Sequence, residues 1–276
     1  MSENHFLKTT PPATSQSVSQ TTLDQYYGPK GMPSQYLGVD VETTGFKRDW
    51  DLIVELGHCV MRNGQPVQVV STLLDWTRSK HVDQDWLEKK LIQVRHNIEG
   101  DPERPTGRKW PITFERLRDE GQSPRKVLKF YRQLFEMIRD EGGLYVMHNG
   151  WQCDVKFLEA AFEEWINDPF VFAPHEVIDT GALVKAAQMH LRPKAEESMK
   201  DYFLRVVRAA APGVLWSLDG FCLEAYGLDK KYELTREDIH AAGMDAYAAC
   251  CLLEELRAGE HPQPRKPTSK KPRKRR

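Results

Sequence analysis

Two acids two positions apart, Asp40 and Glu42, stand in the alternating stretch YLGVDVETTGF that runs from Tyr36 to Phe46. Successive side chains of a strand point to opposite faces, so both carboxylates share one face, with Leu37, Val39 and Val41 on the other. Like charges at that separation disfavour double ionisation, and a strand that keeps both anionic usually holds a cation beside them. Read alone, the pair equally fits an ordinary solvated edge face, since exposed acids are common. Two further segments carry chemistry-bearing residues. Asp154 follows His148-Asn149-Gly150, and His240 lies five residues before Asp245.

These groups need elements to hold them. Thr43, Thr44 and Gly45 end the first strand, and Gly45 permits a close approach that a side chain would block. Residues 52–61 and 66–76 are β-rich runs split by Arg62-Asn63-Gly64-Gln65, where Asn-Gly is a strong hairpin signal. Three consecutive antiparallel strands are therefore expected. Residues 83–98 show Trp86, Leu87, Leu91 and Val94 at helical spacing. Ser123 and Pro124 read as a cap and first turn before the apolar stripe Val127, Leu128, Tyr131, Leu134, Phe135 and Ile138. A short buried strand over 143–147 then leads into a helix over 151–166 that places Asp154 near the positive end of the helix dipole. A brief strand at 177–179 is followed by helices over 180–190, 194–211 and 218–226, the last closed by Gly227. The final helix is expected over 235–256, with Thr235 and Asp238 as a variant capping pattern. In a straight helix His240 and Asp245 would diverge by roughly 140°. His240 must then sit at the helix entry or on a loop if the two are to converge, and Gly243 offers a place to break regularity.

With 276 residues and 40% apolar content, the chain has enough for a substantial core. No run approaches the roughly 18 apolar residues of a membrane span, and the polar N-terminus lacks the apolar core of a secretory signal. Five scattered cysteines without a CxxC pair argue for reduced thiols in the cytoplasm and against a zinc site or a disulfide framework. Residues 1–33, rich in Ser, Thr, Gln and Pro, are expected to form a disordered arm, and 34–258 the folded domain. The net charge of -1 hides an asymmetry. Residues 265–276, RKPTSKKPRKRR, hold eight of the 39 basic residues, which leaves 31 against 40 acids elsewhere. A basic tail over 259–276 is expected to be disordered and to contact a polyanion such as nucleic acid. A nuclear-import signal and a plain solubilising tail remain open alternatives.

Taken in order, VDVETTG, HNGWQCD and HAAGMD make the chain resemble the DEDDh (DnaQ-like) group of 3'-to-5' exonucleases, over about residues 35–256. The resemblance implies an α/β, ribonuclease-H-like fold: a mixed five-stranded sheet flanked by helices, with the acids converging at one end. It implies two Mg²⁺ or Mn²⁺ ions held by Asp40, Glu42, Asp154 and Asp245, a donor set of hard oxygens suited to such ions. His240 would accept the proton of the attacking water, completing the catalytic set. Thr43, Thr44, Phe46 and Asn149 would contact the substrate, although Phe46 also fits a core residue capping the strand end. Residues 78–110 look like an insertion relative to compact members. Hydrolysis at a free 3' end, DNA favoured and single-stranded, with release of nucleoside monophosphates is the leading expectation. RNA 3'-end trimming and a catalytically silent nucleic-acid-binding module are the alternatives.

Overall fold

The computed structural model describes residues 17–28, 31–210, 212–235 and 240–259. A five-stranded sheet is built from β1 (Gln35–Thr43), β2 (Ile53–Arg62), β3 (Gln65–Leu73), β6 (Leu144–Met147) and β7 (Val177–Asp179), in the order β3-β2-β1-β6-β7. The first three strands pair antiparallel, as the hairpin signal and the alternation require, and β6 and β7 join parallel to β1. Asn63 and Gly64 both take positive φ, 52° and 73°, which is the two-residue hairpin geometry that matches strand twist. This is the mixed α/β sheet flanked by helices that the sequence motifs implied.

Helices cover both faces. α4 (Pro124–Asp140) buries the full apolar stripe read from its sequence, and Tyr131 donates from it to the Leu56 carbonyl oxygen at 3.0 Å. Ser123 precedes it without a side-chain capping bond, so Pro124 at the first turn marks the start unaided. The opposite face carries α10 (Ala242–Arg257), which lies across β1, β2 and β3. β2 is consequently buried along nearly its whole length, whereas β3 is largely exposed. Between sheet strands run α2 (Gln84–Glu99), the two-residue strands β4 (Gly100–Asp101) and β5 (Arg104–Pro105), α3 (Phe114–Glu120), α5 (Asp154–Ala161) with a π-helical turn at Phe162–Ile166, α6 (Thr180–Met189) and α7 (Met199–Arg208). A π-helical turn at Leu218–Cys222, α8 (Leu223–Ala225) and α9 (Leu228–Lys231) lead toward α10.

Three expectations need correction. Part of the arm assigned to disorder is α1 (Val18–Tyr27), capped by Ser17, whose hydroxyl accepts the Gln20 N–H at 3.1 Å. It buries Val18, Thr22 and Leu23 against α6 and α10, and Thr22 meets the Tyr202 hydroxyl at 3.3 Å. Residues 1–16 and the basic tail over 260–276 lie outside the described residues. α7 starts at Met199 rather than 194, because Ser198 caps it by accepting the Asp201 N–H. Finally, α10 begins at Ala242, seven residues later than the capping pattern implied; Asp238 lies outside the described residues. Among the described residues no helix is long and apolar enough to cross a membrane.

Candidate active site

Asp40 and Glu42 sit near the carboxyl end of β1, where ligands of open α/β sheets bind. Their face is the one under α10, because Gly38, of the same parity, touches that helix: a Cβ there would lie 2.4 Å from Cys250 Sγ and 2.5 Å from the Ala246 carbonyl oxygen. Asp40 faces Gly57 across the β1–β2 pair, and Glu42 faces Glu55. At Gly57 the helix backbone comes closer still, with a built Cβ 1.9 Å from the Ala242 carbonyl carbon and 2.1 Å from the Gly243 nitrogen. Two strand glycines thus let α10 lie directly on the sheet and bring its first turn beside Glu42.

That first turn has an unusual cap. Ala241 at the cap position has no side-chain acceptor, yet the first N–H groups of a helix need partners. The sheet supplies them. Glu55 Oε2 accepts the Ala242 N–H at 3.1 Å and Ser71 Oγ accepts the Gly243 N–H at 2.8 Å. The Asp245 carboxylate, in the same turn, accepts the backbone N–H of His240 at 3.3 and 3.4 Å. His240 stands just outside the helix at φ 89°, the break in regularity that convergence with Asp245 required. Ligand atoms of Glu42, His240 and Asp245 all lie within 4.8 Å of one another.

Asp154 reaches the same end from the other side of β1. It opens α5 just beyond β6 and is buried, and its Oδ1 accepts the Val41 N–H at 3.1 Å, past the last β1–β6 pair. Burial first and the Glu55 charge second push the Asp40 carboxyl up to about 7. Glu42 is raised by burial and then by Asp40, Asp245, Glu55 and Asp154. Asp154 is raised by burial and then by Asp40. Carboxylates that drive one another's proton affinity upward form a site for positive charge, and a set of hard oxygens beside one imidazole fits Mg²⁺ or Mn²⁺. The structure therefore brings together Asp40, Glu42, Asp154, His240 and Asp245, although Asp40 and Asp154 stand outside the tight three-residue group.

The expected substrate contacts divide. Phe46 is 93% exposed, which excludes the reading as a core cap and leaves its ring free at the rim. Thr43 donates to the Gly45 carbonyl oxygen at 2.6 Å. Thr44 is buried; its hydroxyl donates to Asp51 at 3.2 Å and accepts the Leu52 N–H at 2.9 Å, so it pins the loop instead of facing the site. Asn149 takes φ 67° and its amide oxygen is buried against Gly181, so its side chain also turns inward. His148, left out of the catalytic set, bridges Thr180 Oγ1 at 3.0 Å and the Trp216 carbonyl oxygen at 2.8 Å. Sequence reading missed Glu55, Ser71, Gly57 and Gly38. One signal was available: a lone acid and a glycine inside the apolar run LIVELGHCV have no reason to be there unless something approaches them.

No family model matches the chain, and no curated protein matches it. Solved structures do. E. coli exonuclease I in its zinc-bound complex with single-stranded DNA is 15% identical with a TM-score of 0.54, covering 81% of this chain and 40% of that one. Its complex with a dA16 oligonucleotide is 16% identical with a TM-score of 0.53, at 81% and 40% coverage. The chain shares their ribonuclease-H-like fold. It spans about 40% of the length of these structures.

Proposed function

We propose that the chain is a metal-dependent 3'-to-5' exonuclease that hydrolyses phosphodiester bonds at the free 3' end of single-stranded DNA and releases nucleoside monophosphates. The observation that carries the reading is the meeting of Glu42, His240 and Asp245 within 4.8 Å, beside Asp40 and Asp154, at the carboxyl end of β1. The neighbours with the same fold include complexes with single-stranded DNA, which favours that substrate.

Four carboxylates, Asp40, Glu42, Asp154 and Asp245, would hold two Mg²⁺ or Mn²⁺ ions. Such ions polarise the phosphoryl oxygens and lower the proton affinity of a nearby water. His240 would take a proton from the attacking water, with an imidazole whose ordinary pKa near 6.5 suits neutral pH. Asp245 fixes the backbone from which that imidazole projects by accepting the His240 N–H. The water oxygen bonds to phosphorus, the bond from phosphorus to the 3' oxygen of the penultimate nucleotide breaks, and that oxygen gains a proton. Phe46, exposed at the strand end, is available to stack on the last base.

The test is digestion of matched single-stranded and duplex DNA and RNA, labelled at the 5' or 3' end, with Mg²⁺, Mn²⁺ or chelator, by the full chain and by Asp40→Ala. A stepwise 5'-labelled ladder on single-stranded DNA, lost in the variant and with chelator, is expected. Intact 3' ends with either metal would end the reading, and a preference for RNA would move it to RNA trimming.

A further inference from the structure

On the side of the sheet that carries α4, opposite the face of Asp40 and Glu42 and on the side from which α5 brings Asp154, a cleft of about 380 Å³ opens between the 46–53 loop, the start of α2 and the α5 turn. Its walls are aromatic: Trp50, Trp76, Trp86, Phe157 and Trp165, with Ile53 at the near end. A second hollow of about 430 Å³ shares Trp76, His81 and Trp165 with the first and ends at Arg78 and Arg125. The two form one trough. None of the five candidate catalytic residues lines either hollow, but the first lies near them in the fold: its Ile53 pairs with Thr43, directly after Glu42, and its Phe157 follows Asp154 by one turn of α5.

The trough has a rigid floor. Trp76 is 2% exposed, its indole N–H donates to the Ile53 carbonyl oxygen at 2.6 Å, and its ring meets that of Trp165 at 4.6 Å and 61°. Trp86 and Trp165 are half-buried and Trp50 is 74% exposed, so flat ring surface remains for a ligand. Most acids around it are already engaged. Asp49 pairs with Arg48 at 2.9 Å, Asp51 with Lys90 at 3.0 Å and Asp75 with Arg78 at 3.2 Å, and Asp83 caps α2 by accepting the Trp86 N–H at 3.0 Å. Glu164 stands at the rim. Walls with much ring surface and few spare polar groups suit a flat, aromatic, sequence-tolerant ligand. Stacking of bases is such an interaction, because every base presents a π face.

We propose that this tryptophan trough binds unpaired bases of the substrate strand upstream of the terminal nucleotide, with α2 supplying one wall. This rests on the proposed exonuclease reading for the identity of the strand. The trough sets how much chain is gripped, and the acids set the chemistry. Arg125 at the far end meets the backbone as it leaves.

Binding of 5'-labelled oligothymidylates of two and twelve nucleotides is measured by anisotropy on the full chain with Ca²⁺, and KM for the same pair with Mg²⁺. Trp86→Ala and Trp165→Ala are expected to weaken the twelve-nucleotide strand by about 5- to 150-fold, the worth of one stacked base. The dinucleotide should change by less than about twofold, and Trp86→Phe should restore most of the long-strand affinity. His81→Ala, an exposed residue shared by both hollows, provides a variant that does not disturb packing and should weaken the long strand alone. Equal weakening at both lengths, no weakening at either, or a wild-type chain that holds twelve nucleotides no tighter than two would each overturn the trough. Length-dependent, tryptophan-dependent binding without hydrolysis would retain the trough and remove the exonuclease reading.

Discussion

Replacing Gly57 with alanine tests whether the third motif is held by contact between helix backbone and strand. The added Cβ would sit 1.9 Å from the Ala242 carbonyl carbon, while ordinary contact begins near 3.4 Å, so the start of α10 must lift by about 1.5 Å. β2 cannot yield, since it is hydrogen-bonded on both edges and buried. The lift breaks the bonds from Glu55 to Ala242 and from Ser71 to Gly243, now 3.1 and 2.8 Å. Overpacking costs about 1 to 3 kcal/mol and each broken bond about 1 kcal/mol, for roughly 3 to 5 kcal/mol in total. At about 2 to 4 °C per kcal/mol for a domain of this size, Tm should fall by roughly 6 to 20 °C. Asp245 rides on that turn and His240 just ahead of it, and a misplacement of about 1 Å costs on the order of 100-fold in turnover. Thermal unfolding and single-turnover digestion of a labelled strand measure both effects below the new Tm. A variant that melts within about 2 °C of wild type and cuts within about threefold would refute the reasoning.

Glu55→Ala removes the acceptor for Ala242 and should cost about 1 to 3 kcal/mol, whereas Glu55→Gln keeps an acceptor oxygen and should retain most stability by thermal unfolding. Without metal, the folded chain holds more protons on Asp40 than the unfolded chain between pH about 4 and about 7. Its stability contribution therefore falls as pH rises across that window. Calorimetry in chelator should show Asp40→Asn flattening this fall, and added Mg²⁺ should raise Tm more at pH 7.5 than at pH 5. Truncation after residue 259 removes the eight basic residues of 265–276 and should reduce the salt slope of single-strand binding by about 0.7 for each phosphate that the tail neutralises, as read by anisotropy against salt. An unchanged slope would leave the tail without a role in binding.

Where local rules govern, the sequence was readable. Alternation placed Asp40 and Glu42 on one face, Asn63-Gly64 gave the hairpin, and the α4 stripe is buried residue for residue. The five residues of the candidate catalytic set were named from the family resemblance; the helix expected over 235–256 would have carried His240, and only the condition that it meet Asp245 pointed to the helix entry or a loop, which is where it lies. What escaped is non-local. The start of α10 is set by acceptors on β2 and β3, so the nearby Thr235 carried no information about it. α1 was hidden because Thr22 fills a position in its buried face, and a threonine there reads as linker. Thr44 and Asn149 turn inward because Asp51 and Gly181 lie beside them, and neither neighbour is visible in a motif.

The trans cap on α10 ties the chemistry to the hairpin. With no side-chain acceptor at Ala241, the first turn of that helix is closed by acceptors on the β2–β3 ribbon. A chain severed between Asn63 and Gly64 would lose the convergence of the site's carboxylates in step with the undocking of its outer strand.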